Sequence, residues 1–323
     1  MRLVLSSVLL GLVWFVAVNA AATFAAWGLG RFVTRRPGPV GASWLLMVRL
    51  LPAAASSFFV LAVFLPAHWR FEPADSDETF GVVLGTAAAL GLYLVLDASW
   101  RALRAARAGH RFAALVRRTA RLEAGDAFES FVCFVLDGLP GVSLAGIWRP
   151  RILIGSEARA ALTPSELDLA ISHEIAHRRS RDNLKRFLMY CAPDFFGRTA
   201  VARQLEERWQ AEAECEADAR AVKGDGHRAL VLATALVKVA RLGCVGNLHA
   251  ISPVWTSSAF HVPTLLEMRV RRLVSGSAPP PAAAGTAGWS GAVISAGIAT
   301  GVWVLGFSDA LHVVTEALVT RLP

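Results

Sequence analysis

Four apolar stretches, each long enough to cross a lipid bilayer, limit how this chain can fold. They cover residues 3–30, 50–67, 80–96 and 288–307. A helix needs about 20 mostly apolar residues to cross a hydrocarbon core about 30 Å thick. The 323-residue chain is 54% hydrophobic and 18% charged, whereas soluble domains average about 45–50% and about 25%. The sequence therefore predicts a mainly α-helical membrane protein with four transmembrane helices.

The first stretch is predicted to stay in the protein as a span rather than to be removed as a signal peptide. It carries no charged residue over residues 3–30, and the apolar part of a signal peptide is only about 7–15 residues long. Arg31, Arg35 and Arg36 follow it directly. Positive charges at this place oppose transfer across the membrane, so we expect a retained helix.

The charges between the stretches predict how the chain is oriented. The first loop holds four arginines and no acidic residue, the second holds one arginine against four acidic residues, and residues 101–121 hold seven arginines and no acidic residue. Cytoplasmic loops carry the excess of Lys and Arg, so both termini are predicted outside and the middle region in the cytoplasm. Arg49, at the mouth of the second stretch, is expected to snorkel to the interface.

The net charge of +8 could indicate a membrane protein or a nucleic-acid-binding protein, and the distribution of the charges decides between the two. The arginines cluster at the ends of the spans, where they would meet anionic lipid. Since no nucleic-acid-binding module is recognisable, the lipid bilayer is the expected partner and direct nucleic-acid binding is not expected. In the third stretch, Gly81 and Gly85 share a helix face and predict close packing against another helix.

The chain is predicted to divide into three regions. Residues 1–98 would form three transmembrane helices, and residues 286–323 would form the fourth helix with a short outer tail. Residues 99–285 have the charge density of a soluble domain and end in the linker 275–285, which is rich in Pro, Gly and Ala. This middle region carries the residues that suggest chemistry.

A helix in the middle region carries two histidines one turn apart. Thr163–Glu166 has the pattern of a capping box with Pro at the first helical position, so a helix is predicted to begin there. His173 and His177 then lie on one face and can bind one Zn²⁺ ion, and Glu174 lies next to that face. The sequence predicts a zinc site with Glu174 as its catalytic base.

The third metal ligand is expected in the acidic, helix-favouring segment 209–218. Glu214 and Asp218 are four residues apart and share a helix face. One carboxylate could bind zinc while the other accepts a hydrogen bond from a ligand histidine. Glu212 and Glu216 have the same spacing, and periodicity alone leaves both pairs open.

At these residues the chain resembles the BlaR/MecR-type antirepressor metallopeptidases, which are integral membrane zinc peptidases of the gluzincin kind. That family has three spans, a cytoplasmic α+β zinc domain and a fourth span, which is the layout predicted here from the charges. The segments that carry the resemblance are Gly146–Ile154, which is similar to the family's edge hairpin, His173–Asn183, Glu214–Asp218 and, more weakly, Glu267–Leu273.

The resemblance implies that Glu214 is the third zinc ligand and that Asp218 is hydrogen-bonded to a ligand histidine. It also implies hydrolysis of a cytoplasmic protein, with a cognate winged-helix transcriptional repressor as the candidate substrate. Family members that sense β-lactams carry a sensor domain after the fourth span. Only residues 308–323 follow here, so β-lactam sensing is not expected.

The expected chemistry is zinc-assisted peptide hydrolysis, with the substrate paired to the free edge of a strand at Arg151–Ile154. The group that stabilises the oxyanion is left open among Tyr190, His227, His249 and His261. Two alternatives remain: a processing or quality-control peptidase similar to HtpX and Ste24, and a non-catalytic signal transducer with structural zinc. The HtpX-like proteins place hydrophobic spans between the two motifs, whereas residues 178–210 are strongly charged here.

Overall fold

Long helices dominate the described part of the chain. A computed structural model describes residues 2–35, 38, 40–71, 81–119, 121–123, 133–139, 141–243, 263–276, 310–317 and 319. The first helices are α1 (Arg2–Arg35), α2 (Ala42–Phe58), a π-helical segment (Phe59–Phe64), α3 (Leu65–Phe71) and α4 (Val82–Thr119).

Three of the described helices are long and apolar enough to cross a membrane. They are Val4–Arg35, the continuous helix Ala42–Arg70, and Val82–Thr119. The predicted stretches 3–30 and 50–67 therefore lie in helices longer than the apolar stretch itself, and residues 82–96 of the predicted stretch 80–96 lie in α4. The predicted fourth stretch, 288–307, lies outside the described residues.

The close contact between α1 and α4 is made at a glycine that the sequence pattern did not indicate. A Cβ atom added to Gly91 would lie 2.7 Å from the backbone oxygen of Leu12, so only glycine allows this approach. Nothing lies within 4 Å of such an atom at Gly85. The predicted packing face of Gly81 and Gly85 is wrong because Gly85 is exposed.

A small sheet follows α4 and positions the region beside the candidate site. Its strands lie in the order β1-β2-β4-β3, with β2 parallel to β4 and the other pairs antiparallel. The bounds are β1 (Arg121–Glu123), β2 (Cys133–Leu136), β3 (Val142–Ala145) and β4 (Arg151–Gly155).

The predicted substrate-binding edge at Arg151–Ile154 is wrong because β4 is paired on both sides. Ile152 faces Cys133 of β2 and Leu144 of β3. The turn between β3 and β4 folds β3 onto the outer side of β4, so β3 is the outer strand on this side of the sheet.

Six more helices, α5 to α10, follow the sheet, and α6 lies at their centre; residues 310–317 are also helical. They are α5 (Ser156–Ala161), α6 (Pro164–Ser180), α7 (Asp182–Cys191), α8 (Ala200–Val222), α9 (Gly226–Gly243) and α10 (Pro263–Val274). Buried side chains of the sheet, such as Ile152, pack with Ile171 of α6 and Val239 of α9. Leu169 of α6 packs with Val222 of α8 and Leu273 of α10.

Arg49 does not snorkel to the membrane surface; it is 2% exposed and joins α2 to the α7–α8 region. Its guanidinium donates to Asp194 Oδ2 at 3.0 Å, to Glu206 and to the Met189 carbonyl oxygen at 2.8 Å. The snorkelling prediction fails because two carboxylates from distant parts of the chain lie against α2 at this level. The positive charge is therefore satisfied inside the protein.

Asn19 and Arg101 hold the same connection between α7 and α8. Asn19 of α1 donates to Ser56 Oγ and to the Pro193 carbonyl, both at 3.1 Å, and its oxygen accepts from the Phe195 N–H at 3.2 Å. Arg101 of α4 donates to the carbonyl oxygens of Tyr190 and Ala192. Helices α1, α2 and α4 are thus all bonded to this connection.

Replacing Arg49 tests this attachment. Arg49→Met leaves the buried Asp194 without its cation, and removing one partner of a buried pair costs about 3–5 kcal/mol. We expect this loss in urea unfolding of the detergent-solubilised protein, followed by tryptophan fluorescence. The matched control is Arg198→Met, because the Arg198–Asp97 pair is partly exposed and such pairs contribute little. Equal losses in the two variants would contradict the prediction.

Candidate metal centre

Helix α6 begins where the capping box predicts. The Thr163 hydroxyl accepts from the Glu166 N–H at 3.3 Å, and Glu166 Oε2 accepts from the Thr163 N–H at 2.8 Å. Lys238 of α9 holds the same carboxylate at 2.7 Å. The start of the helix is thereby fixed, and with it the face on which His173 and His177 lie.

Three side chains point their ligand atoms at one small space. The Nε2 atoms of His173 and His177 are 3.1 Å apart, and Glu214 Oε2 of α8 lies 3.2 Å and 3.5 Å from them. All three residues are buried. Of the four acidic candidates in segment 209–218, Glu214 is therefore the one brought to the two histidines.

The other two glutamates of that segment face elsewhere. Glu216 accepts from the Ala42 N–H at 3.3 Å and from Arg220 at 2.9 Å. Glu212 lies 3.7 Å from Arg272. Both pairs of carboxylates had the right spacing, and the rotation of α8 about its axis decides between them.

Each histidine has a carboxylate behind it. His173 Nδ1 lies 2.9 Å from Asp218 Oδ1, and His177 Nδ1 lies 2.8 Å from Asp182 Oδ2. A carboxylate at Nδ1 favours the tautomer that carries its proton there, and this leaves the Nε2 lone pair free for a metal. Asp218 was predicted for this role. Asp182 was not, although it lies only five residues beyond His177.

Arg269 of α10 is a further member of the centre that spacing did not indicate. Its guanidinium binds both oxygens of Asp218, at 2.7 Å and 2.8 Å, and lies 3.1 Å from Glu214 Oε2. The side chain is 1% exposed. The available signal was the Glu267–Leu273 segment, which carried the weakest part of the resemblance.

The electrostatics of the centre favour a positive charge between the two histidines. Burial alone would lower the pKa of His177, but the carboxylates of Glu214 and Asp182 raise it to about 10. Burial opposes ionisation of Glu214, yet His177 and Arg269 hold the pKa of this carboxyl well below its usual range. The centre therefore holds ionised carboxylates and attracts a cation.

Glu174 has a different environment from the other carboxylates of the centre. Burial raises its pKa to about 7, against the opposing effects of His173 and His177. Its Oε2 atom is buried and forms no hydrogen bond with any residue that the structure describes. It is thus a carboxylate free to exchange a proton near neutral pH, beside the three candidate ligands.

The residues present fit a zinc ion. Two imidazole nitrogens and one carboxylate oxygen are the donor set of many catalytic zinc sites, and ligand distances of about 2.0–2.1 Å in a tetrahedron place the ligand atoms roughly 3.3 Å apart. The measured separations of 3.1, 3.2 and 3.5 Å agree with this geometry. Three protein ligands also leave one position for water.

The two oxyanion candidates that the structure describes, Tyr190 and His227, are not brought to this centre. Tyr190 lies at the far end of α7, with its ring beside Arg101. His227 lines a surface cavity near the first turn of α6, with Pro164 and Ser165. His249 and His261 lie outside the described residues.

The chain matches no protein-family model, and no curated protein matches it. The resemblance to the BlaR/MecR-type metallopeptidases therefore stays a prediction that rests on the motifs described above.

Arg269→Met tests the charge balance of the centre. The change leaves the buried Asp218 without its main cation and removes a second cation from Glu214, and such a loss costs about 3–5 kcal/mol. We expect a lower free energy of unfolding in urea, measured on the detergent-solubilised protein. The control is Arg271→Met on the same helix, whose pair with Glu267 is mostly exposed. No difference between the two variants would contradict a central role for Arg269.

Asp182→Ala tests the orientation of His177. Without the carboxylate, His177 loses the partner that fixes its tautomer and ring orientation, and zinc affinity should fall about 10–100-fold. Competition with a chromophoric chelator measures this affinity. Asp168→Ala, a change elsewhere on α6 and away from the two histidines, should leave the affinity unaltered. Unchanged zinc binding in Asp182→Ala would exclude the assigned role.

Proposed function

We propose that the chain is an integral membrane zinc metalloendopeptidase that hydrolyses peptide bonds of a cytoplasmic protein. The observation that carries the proposal is the close triangle of His173, His177 and Glu214 ligand atoms, with the unpaired Glu174 oxygen beside it. A structural zinc site needs four protein ligands and no base. The arrangement of three ligands with a neighbouring carboxylate therefore favours catalysis over a non-catalytic transducer.

In this proposal each side chain of the centre has a separate role. His173, His177 and Glu214 would hold the metal, while Asp218 and Asp182 orient the two imidazoles. A bound zinc ion supplies a Lewis acid that lowers the pKa of water toward ~7 and polarises the scissile carbonyl. Glu174 would take the proton of the attacking water on its carboxylate and pass it to the leaving amine.

The outer strand β3 is the candidate for holding an extended substrate. It lies beside α6, and the Asn183 amide donates to the carbonyl oxygens of Leu144 and Gly146 at 3.1 Å and 2.8 Å. These bonds fix the end of the strand relative to the start of α7. All four residues of β3 are buried, and the Leu144 carbonyl already accepts from Asn183. An extended peptide would therefore have to pair with the backbone groups of β3 that these contacts leave free.

The proposed substrate and the proposed family rest on the resemblance to the BlaR/MecR-type metallopeptidases. A BlaR/MecR-type antirepressor would cleave a cognate winged-helix repressor in the cytoplasm, so a repressor encoded beside this chain is the first substrate to test. The HtpX-like alternative places spans between the two metal-binding motifs. None of the three candidate spans lies between His177 and Glu214, which supports the antirepressor type.

The proposed location is the cell membrane, as a multi-pass protein with the peptidase domain in the cytoplasm. The three candidate spans support membrane association, and the arginine-rich loops support the orientation. The fourth span, and with it an extracytoplasmic C-terminus, remains part of the proposal.

Glu174→Gln tests the proposed catalysis. The variant keeps all three ligands and should still bind one zinc ion per chain, but it cannot accept the proton, so proteolysis should fall by about 10²–10⁴-fold. Zinc content is measured by mass spectrometry and cleavage by gel analysis of the repressor or of casein. Glu157→Gln, on the exposed face of α5, should behave like the unchanged protein. Full proteolysis in Glu174→Gln would overturn the mechanism, and zinc binding without any cleavage by the unchanged protein would favour the transducer.

A further inference from the structure

A strongly positive groove of about 660 Å³ opens beside the candidate centre. One wall is the turn between β3 and β4, with Arg149 and Arg151, and the other is the junction of α6 and α7, with Arg178 and Arg181. His177 lines the same groove. His173, Glu174 and Glu214 are not among the described residues that line it. The groove therefore lies next to the candidate centre, on the Nδ1 side of the buried His177 ring, where Asp182 also lies.

The positive charge of this groove is not balanced within it. Among the described residues that line it, Asp182 is the one that is acidic, and its two oxygens are already bonded to His177 and Lys185. Arg149 and Arg181 are exposed, and no ion pair joins either of them to any acidic side chain that the structure describes. Through Arg149 and Arg181 the groove therefore presents a positive surface to its occupant.

Arg181 stands at a position that suits glycine better. It ends α6 with φ 54° and ψ 39°, the left-handed conformation, which costs roughly 1–2 kcal/mol for a residue with a Cβ atom. A helix end of this kind usually has glycine. The helix end itself does not require the arginine side chain, so its contribution is the charge it brings to the groove.

The position of the groove favours a polypeptide over a lipid headgroup. The C-terminal end of α7 is the end bonded to the membrane helices, through the Met189 and Tyr190 carbonyls. The groove lies at the other end of this ten-residue helix, about 15 Å away. Leu144 of the outer strand β3 also lines the groove, so the charges lie at the end of this strand.

We propose that this groove binds an acidic segment of the protein substrate, next to the bond that is cleaved. The inference rests on the proposed peptidase function and narrows its substrate class to proteins with a carboxylate-rich stretch beside the cleavage site. Arg149 and Arg181 would be the specificity-determining residues.

Peptide binding tests the groove without requiring catalysis. The full-length metal-free protein in phosphatidylcholine nanodiscs is titrated into a fluorescein-labelled peptide with a run of glutamates, and into the same peptide with glutamines in their place. Fluorescence anisotropy should show tighter binding of the glutamate peptide, weakening as salt is added. Arg181→Gly and Arg149→Gln should each weaken it about three-fold, as expected for partly exposed charge pairs.

Lys223→Gly is the matched control. Lys223 ends α8 with φ 56° and is exposed, so the change removes the same charge and relieves the same backbone strain away from the groove. Arg181→Gly and Lys223→Gly should both unfold at an equal or higher temperature, and only Arg181→Gly should lose peptide affinity. Equal affinity for the two peptides, or equal loss in the two variants, would overturn the proposal.

Two further arms separate the remaining explanations. Displacement of the glutamate peptide by phosphatidylglycerol in the nanodiscs would overturn the proposal in favour of a lipid site. If the zinc-loaded protein cleaves both peptides with equal KM, the groove does not select acidic substrates, and the proposed peptidase activity stands. If binding depends on charge but neither peptide is cleaved, the proposed peptidase activity is contradicted, and the groove is supported as a binding site for acidic polypeptides.

Discussion

The neutralisation of buried charge determines how the helices around the centre are arranged. Removing an ionised side chain from water costs several kcal/mol unless a partner of opposite charge is close. Arg269 meets this requirement for Asp218 and Glu214, and so ties α10 to α8. The contact between His177 and Asp182 ties α6 to α7 in the same way. A zinc ion would add positive charge to a set of carboxylates whose positions are already held by these contacts.

The same requirement attaches the centre to the candidate membrane-spanning helices. Arg49 has its cationic end buried between α2 and α8, where Asp194 and Glu206 balance it. Glu206 and Glu214 lie on one continuous helix, eight residues and about 12 Å apart. Any displacement of α2 relative to α8 must therefore break a buried ion pair or move the helix that carries the third candidate ligand.

Sequence reasoning located the features that depend on short spacings. The capping box fixed the start of α6, and the spacing of His173 and His177 placed both on one face. Two of the contacts that it missed join residues far apart in sequence: Arg269 lies 51 positions from Asp218, and Asp194 lies 145 positions from Arg49. Asp182, five positions beyond His177, was missed although it is close. Helical periodicity shows which residues share a face and not which face meets another helix. The strand order could not be predicted for the same reason. Nothing in the residues Arg151–Ile154 shows that β3 pairs with this strand and covers its edge.

The junction of α6 and α7 combines three requirements in consecutive residues. Arg181 takes the left-handed conformation that turns the chain, Asp182 then reaches back to His177, and Asn183 holds the carbonyl oxygens at the end of β3. The orientation of one candidate ligand, the position of the outer strand and the charge of the groove thus depend on a single turn. Because Asp182 and Asn183 are both buried and bonded, this turn cannot shift without disturbing the centre and the outer strand together. Such coupling would keep a bound chain in register with the metal, which is the geometric condition for cleavage at a defined bond.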